Sequence, residues 1–197
     1  MVGRTTDCES AQVTTTTPLV RFSALAAPTF LLLYGLLRLI DGLDGDHGPG
    51  LAWNLGHTLF FISFILLGVL VVGMRHLVPA TTGWTRSVAS LATVSALFGV
   101  GCFLWVILGD LFPDLRDGAP LPDALEMLGP LAFQLGVLTL LIILATARPR
   151  RLPIWSPLLV LIGFALFAVN LDLIPAGALL ILAGLAPLAS DRRRVPR

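Results

Sequence analysis

The sequence predicts an all-α integral membrane protein, with six transmembrane helices arranged as three antiparallel hairpins and both termini in the cytoplasm. Three observations lead to this prediction. The 197 residues are 56% hydrophobic and 13% charged, with a mean hydropathy of +0.89, whereas soluble domains carry about 25% charged residues. Long apolar runs recur along the chain, and arginines and carboxylates alternate between the segments that connect them. Apolar surface in such excess has to face lipid.

The lengths of the apolar runs set the number of spans. A bilayer core is about 30 Å thick, so a helix that crosses it needs about 20 apolar residues. Four runs of this kind are followed by one of double length, which Asn170, Asp172 and Pro175 interrupt. These residues favour turns, and an aspartate is unfavourable in hydrocarbon, so we divide the last run in two. The predicted spans are 22–40, 51–74, 87–109, 125–147, 152–171 and 173–190. The alternative for the last run is one kinked helix with an interfacial segment.

The segments outside the spans are short. Residues 1–21 lack the features of a cleaved signal peptide and predict a disordered cytoplasmic tail, with the first span acting as a signal anchor. Residues 191–197 predict a basic cytoplasmic tail. Cys8 lies in the first tail and Cys102 within a span, so the two cysteines are expected at different depths and unbridged.

Charge distribution predicts the orientation, because arginines near span ends stay in the cytoplasm. Eleven of the thirteen basic residues fall in the tails and in the loops after the second and fourth spans. Nine of the twelve acidic residues fall in the other loops or, for Glu126, at the adjoining end of a span. Every basic residue is arginine, which together with abundant Ala, Gly, Leu and Pro is typical of GC-rich coding, so we expect a bacterial plasma membrane.

An internal repeat is a further hypothesis. A shift of 73 residues aligns Asp44-Gly45 with Asp117-Gly118 and Leu55-Gly56 with Leu128-Gly129, and it gives nine identities over positions 41–75. A duplicated two-helix hairpin would explain the matches, and so would chance in a leucine-rich chain.

Polar residues within the spans are the candidates for a site, because such residues are unfavourable in lipid and often functional. Asn54 and His57 are three residues apart and are expected on one helix face, with His57 roughly 9 Å below the outer boundary. A common depth predicts an outward-opening polar pocket. The predicted ligand-binding residues are Arg38, Asn54, His57, Asp110, Gln134, Asn170 and Asp172. The alternative is that they only form hydrogen bonds between helices.

The loop at 41–50 is a candidate metal site, since Asp41, Asp44, Asp46 and His47 lie within seven residues among glycines. Hard cations such as calcium bind several oxygens of a flexible loop, although this spacing is not that of an EF-hand. A solvated turn that its negative charge keeps outside the membrane is the alternative.

The sequence lacks the common motifs of metal, nucleotide and hydrolase sites. No zinc array, nucleotide-binding loop or hydrolase motif occurs, and we predict no cofactor. The short arginine clusters are too small and too close to the membrane to indicate nucleic-acid binding, but they fit anionic lipid headgroups. These clusters comprise Arg148, Arg150, Arg151, Arg192, Arg193 and Arg194.

Three functions therefore stay open. The leading one is binding or movement of a small solute or ion through the polar site. The second is a structural or assembly subunit of a membrane complex, and the third is an enzyme that acts on a lipid-soluble substrate with His57 as acid or base.

Overall fold

The computed structural model describes residues 17–44, 48, 50–79, 82–148 and 150–190, and within these ranges it is helical, with no β-strand. This confirms the predicted all-α class. The helices are α1 (Pro18–Asp41), α2 (Leu51–Leu77), α3 (Gly83–Leu111), α4 (Pro113–Gly118), α5 (Asp123–Thr146), α6 (Trp155–Val169) and α7 (Ile174–Ala189). Two 3-10 turns, Gly42–Asp44 and Leu171–Leu173, follow α1 and precede α7.

Five helical segments of the described chain are long and apolar enough to cross a membrane. They are α1, α2, α3, α5 and the segment Leu171–Ala189, which joins the second 3-10 turn to α7. The structure thus supports a membrane protein by length and composition. Helix α6 is also apolar, but its 15 residues rise only about 22 Å, less than the thickness of the hydrocarbon core.

Capping residues make two helices longer than the apolar runs that predicted them. Helix α1 begins at Pro18 because the Thr17 side chain accepts a hydrogen bond from Val20 N (3.4 Å). Proline suits this position, because the N–H that it lacks would have no acceptor within the helix. In the same way, α3 begins at Gly83 because Thr82 caps it through Thr85 N (3.2 Å). Both helices therefore start about one turn before the predicted span boundaries at 22 and 87.

The last apolar run is broken at Asn170, where the sequence predicts a turn. Asn170 has extended backbone angles, and its side-chain oxygen accepts a hydrogen bond from Asp172 N at 2.9 Å. Helices α6 and α7 then pack against each other, and glycines allow the close approach. A Cβ on Gly163 would lie 2.7 Å from the Gly177 carbonyl oxygen, and one on Gly184 would lie 3.0 Å from the Ser156 carbonyl oxygen. These contacts show that the two helices run antiparallel.

Small residues also hold α3 against α5. A Cβ on Gly99 would lie 2.6 Å from the backbone nitrogen of Phe133, and one on Gly136 would lie 2.6 Å from that of Ala96. Small residues at such interfaces let two backbones approach closely, which is a common basis of helix association in membranes. Helix α1 packs in turn against α2 and α7, and α2 packs against α3.

The centre of the bundle is a chain of aromatic rings from four helices. Phe64 of α2 contacts Phe103 of α3 (ring centroids 4.2 Å apart) and Phe133 of α5 (5.6 Å), and Phe133 contacts Phe164 of α6 (5.3 Å). At one end the chain continues through Phe60 to Tyr34 of α1. The aromatic core thus leads from the middle of the bundle to its polar end.

Charges divide between the two ends of the bundle. The acidic end, where α1, α3 and α6 finish and α2, α5 and α7 begin, holds Asp41, Asp110, Asp114, Asp117, Asp123, Glu126 and Asp172. The basic end, opposite to it, holds Arg75, Arg86, Arg148, Arg150 and Arg151. The four tryptophans also lie near the ends, with Trp53 and Trp105 toward the acidic end and Trp84 and Trp155 at the basic end. Tryptophan is typical of membrane–water interfaces.

Candidate functional site

Charged side chains from different helices meet at the acidic end of the bundle. Arg38 comes from the last turns of α1, His57 from the second turn of α2, and Asp110 from the last turn of α3. The residues that surround them are Tyr34, Asp41, Trp53, Arg116 and Asp172. We refer to these eight residues as the polar cluster. Of the predicted site residues, the structure brings together Arg38, His57, Asp110 and Asp172.

His57 is the most buried member of the cluster, with 3% of its surface exposed. Its Nδ1 lies 2.9 Å from the carbonyl oxygen of Trp53, one helical turn earlier. Its Nε2 points at Asp110 Oδ2, 3.6 Å away. The ring also lies against the Trp53 indole (centroids 4.0 Å apart) and meets the edge of Tyr34 (5.3 Å). Aromatic surface therefore encloses the imidazole on two sides.

Asp110 joins three helices. Its carboxylate faces His57 of α2 and, through Oδ1, Arg116 of α4 at 3.9 Å. Its backbone carbonyl accepts a hydrogen bond from Trp53 Nε1 at 3.2 Å. The Trp53 bond fixes α2 and α3 in register and so keeps the His57 ring opposite the Asp110 carboxylate.

Arg38 connects the cluster to the turn before α7. Its Nε lies 3.9 Å from Asp172 Oδ1, and its guanidinium lies beside the Tyr34 hydroxyl and close to the charge of Asp110. The Arg38 side chain is mostly buried, whereas that of Asp172 is mostly exposed. The arginine thus lies between buried aromatic surface and the exposed edge of the bundle.

The ion pairs of the cluster are loose. His57–Asp110, Arg38–Asp172 and Arg116–Asp110 are separated by 3.6, 3.9 and 3.9 Å. Direct charged hydrogen bonds are about 2.7–2.9 Å long. Moreover, Arg38 Nε and Asp41 Oδ2 are buried with no hydrogen-bond partner among the described residues. The cluster therefore keeps hydrogen-bonding capacity that its own side chains do not use.

A small cavity lies beside these residues. It is lined by Tyr34, Arg38, Asp41, Ala52, Trp53, Gly56 and His57. Its volume is about 10 Å³, which is near the lower limit for one water molecule. Arginine, aspartate and histidine thus share a space that fits water or a monatomic ion.

The other three predicted site residues lie outside the polar cluster. Asn54 is exposed, although it is only three residues from the buried His57. Three residues leave two side chains roughly 60° apart around a helix, so one can face the bundle while the other faces outward. Asn170 is exposed and caps the 3-10 turn at Leu171–Leu173. Gln134 of α5 does not line the cavity, but its Oε1 and Nε2 are buried without a hydrogen-bond partner in the described part of the chain.

The predicted metal loop is only partly described. Asp41 ends α1 and lines the cavity, and Asp44 ends the first 3-10 turn, whereas Asp46 and His47 lie outside the described residues. Within the described ranges, no group of three or more His, Cys, Asp or Glu residues could hold a metal ion.

The predicted lipid-binding arginines are described in part. Arg148 and Arg150 are exposed after the end of α5, and Arg151 is partly buried. Arg192, Arg193 and Arg194 lie outside the described residues.

Sequence reasoning missed Tyr34, Trp53 and Arg116 as members of the cluster. The first two carry a recognisable signal, since Tyr34 precedes Arg38 by four residues and Trp53 precedes His57 by four, which places each pair on one helix face. Arg116 gives no such signal, because its approach to Asp110 depends on the short helix α4 after the end of α3.

Comparisons of the chain with protein-family models, with curated proteins and with solved structures give no match.

Proposed function

We propose that this is a six-span membrane protein whose acidic end faces outward, and that its polar cluster binds or moves a small ion or water-sized solute. Helix α6 forms the fifth crossing, because it packs antiparallel against α7, with close contacts at Gly163 and at Gly184. The residues Leu152–Ile154 before it, or local thinning of the bilayer, compensate for its short rise. The chain then crosses as three hairpins with both termini at the basic, cytoplasmic end.

The unpartnered buried atoms beside the cavity carry the functional part of the proposal. A polar group withdrawn from water without a hydrogen bond costs several kcal/mol in an apolar environment (roughly 2–7). Among the described residues, neither Arg38 Nε nor Asp41 Oδ2 has a hydrogen-bond partner, and both atoms belong to residues that line the same cavity. A bound ion or solute with its water would satisfy them. The size of the cavity favours a ligand no larger than a monatomic ion, unless side chains move.

Cysteine labelling tests the orientation. In a chain that carries Cys8→Ser and Cys102→Ala, Leu43→Cys and Asp117→Cys should react with a membrane-impermeant maleimide added to intact cells. Trp84→Cys and Arg150→Cys should react only after the cells are permeabilised. All four positions are exposed in the structure. Labelling of positions 84 and 150 from outside, with 43 and 117 protected, would invert the proposed orientation.

Ion flux in liposomes tests the function. Purified protein should dissipate a gradient of protons, sodium, potassium or chloride faster than protein-free liposomes do. Arg38→Gln and Asp110→Asn should lower that flux about tenfold or more, whereas Arg75→Gln at the basic end should not. A wild-type protein that moves none of the four ions would contradict the proposal.

A structural subunit is the second candidate, because the Trp53–Asp110 hydrogen bond and the His57 contacts join α2 to α3. In that case Asp110→Asn lowers the unfolding temperature and no ion flux exists to be lost.

A further inference from the structure

The hydrogen bond of His57 fixes which of its ring nitrogens carries a proton in the neutral form. The partner of Nδ1 is a backbone carbonyl oxygen, that of Trp53 at 2.9 Å. A carbonyl oxygen only accepts hydrogen bonds, so Nδ1 must donate. In a neutral imidazole one nitrogen is a donor and the other an acceptor, so Nε2 then carries a lone pair and no proton.

The bare Nε2 faces a second acceptor. Asp110 Oδ2 lies 3.6 Å away, and an ionised carboxylate accepts hydrogen bonds without donating any. Neutral His57 and ionised Asp110 therefore present lone pairs to each other in a place where the imidazole is 3% exposed. One added proton turns this into an attractive contact, whether it resides on Nε2 or on the carboxyl oxygen.

The surrounding charges also favour one added proton. The charged groups that face the pair are Arg38 and Asp41 from α1, Arg116 from α4 and Asp172 from the turn before α7, and Tyr34 contributes a phenol. Two arginines and the carboxylates of Asp41, Asp110 and Asp172 leave this described set with a net charge of −1 when His57 is neutral. Arg116 and Asp172 are mostly exposed and offset each other, so the charge of −1 remains on the more buried Arg38, Asp41 and Asp110. One proton makes this group neutral, and an unbalanced charge is disfavoured where water is scarce.

The cavity also offers a place for a proton carrier beside His57. His57 lines the water-sized cavity together with Arg38 and Asp41, and Asp41 lies in the last turn of α1, two residues before the exposed Leu43. A water in the cavity would connect the imidazole to these groups.

We propose that His57 and Asp110 together hold one exchangeable proton, which a hydronium ion delivers through the cavity and leaves behind as water. The inference deepens the proposed function, since it names the proton as an ion that the cluster binds. The proton bound to the pair is shared by two groups, so it belongs to neither residue alone.

Nitrogen-15 NMR of the full-length protein in nanodiscs, with labelled histidine, tests this assignment. The His57 signals are identified by their loss in His57→Gln. In the wild type, Nδ1 should stay protonated from acid to alkaline pH, and Nε2 should gain and lose the proton. If the neutral ring in the wild type is protonated at Nε2, the proposal is overturned by this spectrum alone.

Coupling to Asp110 is tested with matched aspartate variants. Asp110→Asn should lower the proton affinity of His57 at least tenfold, because the asparagine side chain carries no negative charge. Asp123→Asn, which removes an exposed carboxylate at the acidic end outside the polar cluster, should change it less than threefold. Equal effects of the two variants, or none, would overturn the proposal. The ion-flux assay is independent, so flux without coupled titration leaves the proposed function standing and removes only the proton assignment.

Discussion

Gly99 of α3 and Phe133 of α5 are in backbone contact, and a Cβ at position 99 would lie 2.6 Å from the Phe133 nitrogen. Two residues later, Gly101 has open space where its Cβ would be. Of these two glycines, only Gly99 lies at a close contact between helices. The pair offers a matched test of how the bundle is packed.

We predict that Gly99→Ala destabilises the bundle and that Gly101→Ala does not. Alanine at 99 must push α3 and α5 apart, and overpacking of this kind costs about 1–3 kcal/mol. Alanine at 101 meets no neighbour and suits a helix better than glycine does. Unfolding midpoints in detergent titrations would measure both. Equal midpoints for the two variants would show that the α3–α5 contact is looser than described.

A second prediction concerns the two indole hydrogen bonds at the acidic end. Trp53 Nε1 donates to the Asp110 carbonyl, 57 residues away in the sequence, whereas Trp105 Nε1 donates to the Ala119 carbonyl, 14 residues away. Each phenylalanine variant should lose one bond, of about 0.6 kcal/mol. Only Trp53→Phe should also shift the NMR signals of the His57 ring, because the Trp53 indole lies against that ring and its hydrogen bond joins α2 to α3. Similar His57 spectra in both variants would contradict this role for Trp53.

The helices could be predicted from the sequence, but the way they pack could not. Apolar runs, turn residues and charges are local signals, so the break at Asn170 and the charged ends follow from the sequence. The meeting of Arg38 with Asp172 and of Trp53 with Asp110 depends on which helices are neighbours, and spacing along the chain does not contain that information. Asn54 illustrates the limit, since spacing alone placed it with His57 whereas packing leaves it exposed.

Tyr34 leads to a third prediction, because its ring and its hydroxyl have different contacts. The ring stacks on Phe60 (centroids 4.2 Å apart) and meets the edge of His57, while the hydroxyl lies beside Arg38. Tyr34→Phe keeps the ring contacts and should leave the free energy of unfolding within about 1 kcal/mol of the wild type, the size of a typical hydrogen-bond contribution. Tyr34→Ala removes the ring and should cost about 3–5 kcal/mol, as other large aromatic truncations do.

The flux assay separates the two parts of the Tyr34 side chain. Tyr34→Phe should lower ion flux while the fold is kept, since Arg38 loses the group that holds its guanidinium at the cavity. A phenylalanine variant with wild-type flux would show that the hydroxyl has no part in the site.

A last prediction contrasts two polar side chains buried in the middle of the bundle. Ser63 of α2 donates from Oγ to the Ala27 carbonyl of α1 at 2.8 Å, so its hydroxyl is satisfied. Gln134 of α5 has both amide atoms buried without a partner in the described chain. Removal of a satisfied buried hydrogen bond costs about 1 kcal/mol, whereas replacement of an unsatisfied group by an apolar one of similar shape is neutral or stabilising.

Ser63→Ala should therefore lower the unfolding midpoint, and Gln134→Leu should leave it unchanged or raise it. The flux assay then decides whether the amide of Gln134 is used for anything else. If Gln134→Leu is stable and loses ion flux, the amide belongs to the path of the ion and the site extends from the cavity toward α5. If the variant is stable with full flux, the site is confined to the acidic end. A Gln134→Leu protein that is clearly less stable than Ser63→Ala would contradict the burial argument, because it would show that the amide makes a hydrogen bond that stabilises the bundle.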